Sequence, residues 1–404
     1  NNINYFSISN IILFMIVLYN LYIGGNMKIL VMMDSFKGSL SSIEAGNTIK
    51  NTLEKRKIPH EVEVLPIADG GEGTVESLIG LSDIKEMKVK VNNPLFESQI
   101  ARYAYSEKSR LAIMEMSQAS GLTLIKDKLS PMKASTYGVG EMIIDALDKG
   151  ARHFVIGIGG SATNDGGIGM LSALGFKFLD IDGNEIKPGI EGVYDLVEID
   201  DSKVDPRVKE ADFDIACDVD NPLNGENGSA YVYGPQKGAT SEEVKIIDEL
   251  LLKYHNITKQ YISSADNSIK GVGAAGGLGY GFKTFLDANL SHGIDLILNL
   301  LDAENHIKKA DLIITGEGKI DFQTSMGKAP VGVAKLAKKY NKAVIAFAGI
   351  VDNEAVAVNN EGIDAFFPII DKITSINEAM SIEKSKENLN RCVTQVFNII
   401  DMWR

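Results

Sequence analysis

Two stretches of this chain set an acidic side chain beside consecutive glycines: Asp69-Gly70-Gly71-Glu72-Gly73 and Asp165-Gly166-Gly167-Ile168-Gly169. Each follows an apolar, strand-like run and precedes an apolar helical one. Glycines let the backbone approach a ligand, a helix start offers unpaired N–H groups to an anion, and the aspartate adds a carboxylate. That combination suits phosphate chemistry. Asp34-Ser35-Phe36-Lys37-Gly38-Ser39 adds an acid, a hydroxyl and a cation directly after the first apolar run. In Thr315-Gly316-Glu317-Gly318-Lys319-Ile320-Asp321, Glu317 and Asp321 are oxygen donors of the kind Mg²⁺ takes, and Lys319 is a phosphate partner. The glycine-dense Gly273 to Gly281, containing Gly276 and Gly277, interleaves Ala, Leu and Tyr, which argues for close packing on a ligand or a neighbouring domain.

Gly157-Ile158-Gly159-Gly160-Ser161-Ala162 has two readings. It fits a dinucleotide fingerprint, with Asp180 near the ribose-binding distance, which would make an NAD(P)-dependent dehydrogenase. The paired Gly166-Gly167 lies where that motif needs an unbroken helix, and paired glycines are poor helix formers. The preferred reading is therefore a longer phosphate and substrate loop, with the helix starting near Gly167 and Asp165 at its mouth. No Walker A loop occurs, and five scattered histidines give a Ser-His-Asp hydrolase no support.

These loops need elements behind them. The chain's 404 residues exceed what one core usually serves, and a hydrophobic content of 45% supports a folded, two-domain protein. From Met27 on, apolar runs alternate with helical patterns, the signature of parallel strands joined by helical crossovers. Strands are expected at Lys28 to Met33, Glu61 to Ile67, His153 to Ile158, Asp311 to Thr315 and Ala343 to Ala348. Ser41-Ser42-Ile43-Glu44 is a capping box opening a helix to about Arg56. In open parallel sheets ligands sit outside the carboxyl ends of strands, so Asp34, Asp69, Gly159 and Gly316 are expected along one crevice. Residues 88–125 alternate like antiparallel strands around an Asn93-Pro94 turn, and 178–282 are rich in Gly, Asp and Asn. Those two segments are expected to form an inserted second domain, with 27–87, 126–177 and 283–404 in the first.

A net charge of −13 repels nucleic acid and anionic membranes at long range, so an anionic substrate must be held by local donors. Cys217 and Cys392 are far apart with no ligand-like neighbours, which points to a reducing cytoplasm rather than a disulfide or zinc site. Residues 1–26 carry no charge, and the apolar run from Ile11 to Ile23 is short for a membrane span. They read as a non-native extension before Met27.

Taken in order, Asp34-Ser-Phe-Lys-Gly-Ser, Ala68-Asp-Gly-Gly-Glu-Gly-Thr, Gly157-Ile-Gly-Gly-Ser-Ala-Thr-Asn-Asp-Gly-Gly and Thr315-Gly-Glu-Gly-Lys-Ile-Asp resemble the bacterial ATP-dependent glycerate kinase family that lacks a Walker loop. Ala216-Cys-Asp-Val-Asp-Asn-Pro-Leu and Tyr233-Gly-Pro-Gln-Lys-Gly-Ala add to the likeness, as does Ala274-Ala-Gly-Gly-Leu-Gly-Tyr-Gly, and coverage runs from Met27 nearly to the end. The resemblance implies a discontinuous flavodoxin-like α/β domain with a second α/β domain inserted, and transfer of the ATP γ-phosphoryl group to glycerate, at the 2-hydroxyl in preference to the 3-hydroxyl. On this reading Asp165 is the base, with Lys37 and Asp69 beside it. Asp34, Ser35, Lys37, Asp69, Gly70 and Asn164 hold the substrate. Gly159, Gly160, Ser161, Gly276, Gly277 and Gly316 hold the nucleotide, and Glu317 and Asp321 hold Mg²⁺. ATP and glycerate are the expected partners, with a homodimer as an open possibility. A catalytically silent ligand sensor is the remaining alternative; such a sensor would need fewer charged groups than Asp69, Asp165, Asp321 and Lys37.

Overall fold

The computed structural model describes residues 27–402 apart from 59, 69, 72 and 80–82, so the expectations for residues 1–26, Asp69 and Glu72 lie outside the described residues. The chain divides into two compact units: residues 1–69 with 297–404, and 70–296.

The first unit is built on an all-parallel sheet. Its five strands run, edge to edge, His60–Val64, Met27–Met33, Leu312–Ile320, Ala343–Val351 and Ala365–Pro368. Numbered along this unit the order is 2-1-3-4-5, the flavodoxin-like arrangement expected from the sequence. Met27–Met33 is buried at every position but Lys28, as a parallel strand covered on both faces must be. The predicted capping box holds: the Ser41 hydroxyl accepts from Glu44 N at 3.2 Å, and the Glu44 carboxylate accepts from Ser41 N at 3.2 Å. The helix it opens, Ser42–Glu54, buries Ala45, Ile49 and Leu53 in one core with Leu389, Val393 and Phe397 of the Ile382–Asp401 helix.

Two strands of this sheet run past their expected ends. Leu312–Ile320 and Ala343–Val351 continue through Gly316 and Gly349, paired at Glu317 with Ala348 and at Lys319 with Ile350. These glycines are there for close strand packing: a Cβ on Gly316 would lie 1.9 Å from the Phe347 carbonyl oxygen, and one on Gly349 would lie 2.5 Å from that of Gly318. The glycines that read as loop openings are interior strand positions.

The second unit carries a six-stranded mixed sheet, ordered Asn289–Ser291, Asp212–Ala216, His153–Gly157, Leu111–Glu115, Ser98–Ser106 and Ile84–Asn92. The first four are mutually parallel, and the last two continue as antiparallel hairpins, so the expected strands around Asn93-Pro94 are present. Its core gathers Tyr103, Phe154, Ile156, Phe213, Leu278 and Phe282.

The domain boundaries drawn from the sequence need correction. Residues 70–87, 126–177 and 283–296 belong to the second unit, because His153–Gly157 pairs on one side with Leu111–Glu115 and on the other with Asp212–Ala216. Both units use parallel strands ending in glycine, so the sequence rhythm does not say which sheet a strand joins. Among the described residues, no helix is long and apolar enough to cross a membrane.

Candidate functional site

In the first unit, the loops at the strands' carboxyl ends enclose a cavity of about 500 Å³. Asp34, the residue after Met27–Met33, is buried there. Its amide donates to the Gly316 carbonyl at 2.9 Å, and its carboxylate accepts from Ser35 N at 2.6 Å. Phe36 and Leu40 close a tight turn through a 2.7 Å hydrogen bond, which leaves Lys37 exposed at the tip. From the neighbouring strand, Glu317 is buried and accepts from the Thr324 hydroxyl at 2.6 Å. Asp321 caps the short helix Phe322–Ser325, accepting from Gln323 N at 2.9 Å. Burial works to raise the Asp321 carboxyl, but the Lys319 ammonium, 3.3 Å away, and the Thr324 N–H outweigh it and hold the group below the usual carboxylate range. The cavity thus carries Lys37, Lys319 and Lys328 against Asp34, Glu317 and Asp321, with Ile350, Ile369, Ile370 and Met380 as an apolar wall. Cations for phosphates, carboxylates for a metal and an apolar surface for a base are the needs of a metal–nucleotide complex.

In the second unit, a cavity of about 400 Å³ lies at the ends of His153–Gly157 and Asp212–Ala216, lined by Gly70, Gly71, Gly159, Gly160, Ser161, Asp218, Tyr233 and Lys237. Gly160 needs its φ of +73°, and a Cβ on Gly159 would meet nothing nearer than 4.0 Å. Those two glycines therefore leave open space where a ligand can approach. Gly70 differs, since a Cβ on it would lie 2.7 Å from that of Ala216 and its own carbonyl rests against Gly157. Close chain packing accounts for it.

Several residues expected at the site lie away from both cavities. Asp165 is fully buried and lines neither cavity. Its carboxylate accepts from Thr136 N at 2.8 Å, from the Thr136 hydroxyl at 2.9 Å, and from Gly167 N and Gly169 N at 3.2 Å each. Burial pushes its carboxyl up while these donors oppose the rise. In this structure Asp165 ties the helix start at Ile168 to Thr136, and its carboxylate is engaged there and not at either cavity. Asn164 is equally buried, with its Nδ2 donating to Pro131 O at 3.1 Å. Gly276 and Gly277 adopt left-handed backbone so that the chain can lie against Thr163 and Gly166, with a Cβ on Gly276 falling 1.9 Å from Thr163 O. Gly316 is a strand glycine, as described above. None of these four lines either of the two cavities described.

The dinucleotide reading also fails. Strand His153–Gly157 is followed by a helix only at Ile168, too far for a tight strand–turn–helix fingerprint, and Asp180 is occupied in an exposed turn with Asn184. Sequence reasoning gave no role to Lys237, Asp218, Tyr233 or Lys328. The Tyr233-Gly-Pro-Gln-Lys-Gly-Ala run was the one available signal for Tyr233 and Lys237.

Two α/β units with glycine loops and charged side chains at strand ends, and no Walker loop, define a phosphate-handling protein of the non-P-loop kind. A family model described as "Glycerate kinase family" matches residues 29–401, and the chain belongs to that family. It is 47% identical over 354 residues to a glycerate kinase of Halalkalibacterium halodurans, covering 87% of this chain and 93% of that protein. It is 42% identical to the glycerate 2-kinase of Escherichia coli K12, with the same two coverages. Its fold matches the crystal structure of a Salmonella typhimurium LT2 protein provisionally described as glycerate kinase 2, at a TM-score of 0.86 and 39% identity, covering 94% of this chain and 99% of that one.

Proposed function

We propose that this protein transfers the γ-phosphoryl group of ATP to the 2-hydroxyl of glycerate. The observation that carries the reading is the first unit's cavity, where three lysines share walls with three carboxylates at the carboxyl ends of a flavodoxin-like sheet. Membership of the family and the names of the relatives support the choice of glycerate; the E. coli name supports the 2-position.

Among the described residues, no group of three or more His, Cys, Asp or Glu side chains is arranged to hold a metal by itself. Mg²⁺ is commonly held by one or two carboxylates and completed by substrate phosphates and water. Glu317 and Asp321 are the residues that would hold it, and a bound Mg²⁺ supplies neutralisation of phosphate charge. Lys37, Lys319 and Lys328 supply further positive charge along that cavity. The buried Asp34, which follows the first strand and lines this cavity, is the carboxylate best placed in it to orient the acceptor hydroxyl and take its proton. The free thiols of Cys217 and Cys392 fit a reducing cytoplasm as the place of work.

The test is ADP formation by the purified protein with Mg-ATP, with and without glycerate. Release that depends on glycerate and stops on chelation of Mg²⁺ is expected; ADP release indifferent to glycerate would contradict the reading.

A further inference from the structure

Lys237 is 1% exposed, yet it lines the second unit's cavity beside Gly159, Gly160 and Ser161. Its Nζ donates to the Thr163 carbonyl at 2.6 Å, its one hydrogen-bond partner among the described residues, which leaves two of an ammonium's three N–H bonds unspent. A buried ammonium with unspent donors carries a desolvation cost that an arriving anion offsets. The Gly159 and Gly160 amides donate to no acceptor among the described residues and sit in open backbone on the same wall. Donors from a buried side chain and from the main chain therefore line one small space.

We propose that Lys237 is an oxyanion-recognising residue of the reaction, whose Nζ takes a phosphate or carboxylate oxygen of a substrate together with the Gly159 and Gly160 amides. The proposal rests on the glycerate kinase reading for the identity of the anion, and phosphate and carboxylate share the chemistry that Lys237 answers. The charge of the side chain fits the role. Burial brings the ammonium down to about 7 while the nearby Asp165 opposes the fall, and an anion arriving beside it favours the charged form. The other titratable groups facing this cavity are Asp218, which lies 3.6 Å from His292, the Tyr233 hydroxyl, raised by burial, and the Cys217 thiol, pushed up to about 11.

The test uses the full chain. Tripolyphosphate and glycerate are titrated separately, by calorimetry, into the wild type and Lys237→Met. At least a tenfold loss of affinity for tripolyphosphate supports the proposal and assigns the nucleotide's phosphates as the anion. The same loss for glycerate supports it and assigns the acceptor's carboxylate. A loss of less than tenfold for both anions overturns it. Should that variant fail to fold, Lys237→Gln is titrated with the same two anions and read by the same thresholds. Failure of the functional reading is separate: wild type would form no phosphoglycerate from ATP and glycerate, while the tripolyphosphate measurement would still report on Lys237.

Discussion

The Asp165 carboxylate spends its lone pairs on Thr136, Gly167 and Gly169, so replacing it by an amide turns an NH₂ donor toward groups that are themselves donors. Asp165→Asn is expected to lose about 1–3 kcal/mol of stability in chemical denaturation, with turnover of the folded fraction within a few-fold of wild type. A stable Asp165→Asn protein with a hundredfold lower kcat would restore the base role. The opposite pattern is expected at Asp34: Asp34→Asn should lower kcat by about 100-fold or more and leave KM for Mg-ATP nearly unchanged in steady-state assays. At this scale the sequence located cavity-lining residues where they lie close after a strand, as Asp34, Ser35 and Lys37 do. Its limit is shown by Lys237, whose burial depends on a carbonyl 74 residues away, and by Asp165, whose isolation from solvent comes from Thr136 on another segment.

Among the elements, the decisive pairing is between Leu312–Ile320 and Ala343–Val351, because together they carry Glu317 and Lys319 beyond Gly316 to the cavity wall. Gly316→Ala would drive a methyl group into the Phe347 carbonyl, 1.9 Å from the ideal Cβ. The expected cost is about 1–3 kcal/mol, read as a lowered thermal midpoint, and the displaced Glu317 should raise the Mg²⁺ concentration needed for half-maximal rate. Unchanged midpoint and Mg²⁺ requirement would show that the strands tolerate a side chain there. Capping residues and strand cores were legible from the sequence because they depend on neighbours in the chain. Glycine gave a less specific signal, since a loop that admits a ligand and a strand that admits its neighbour both select it. Gly159 and Gly160 leave the open space that a ligand would need; Gly316 admits a neighbouring strand, and Gly276 and Gly277, outside any strand, admit the Thr163–Gly166 segment.

Across the whole molecule, the flavodoxin-like order and the inserted second unit followed from the strand–helix alternation and the family resemblance. The boundaries did not, because the second unit also contains parallel strands and carries its antiparallel hairpins on the same sheet. A net charge of −13 gives no general attraction for anionic ligands, so binding must come from the local cations and amides identified in the two cavities. If the chain makes 2-phosphoglycerate from glycerate and ATP, phosphorus NMR of the product formed from glycerate and Mg-ATP reads which hydroxyl has been phosphorylated. One resonance with the coupling of a phosphate on the secondary carbon, appearing in step with ADP, is predicted; a phosphate on the primary carbon, or no phosphoglycerate at all, would contradict it.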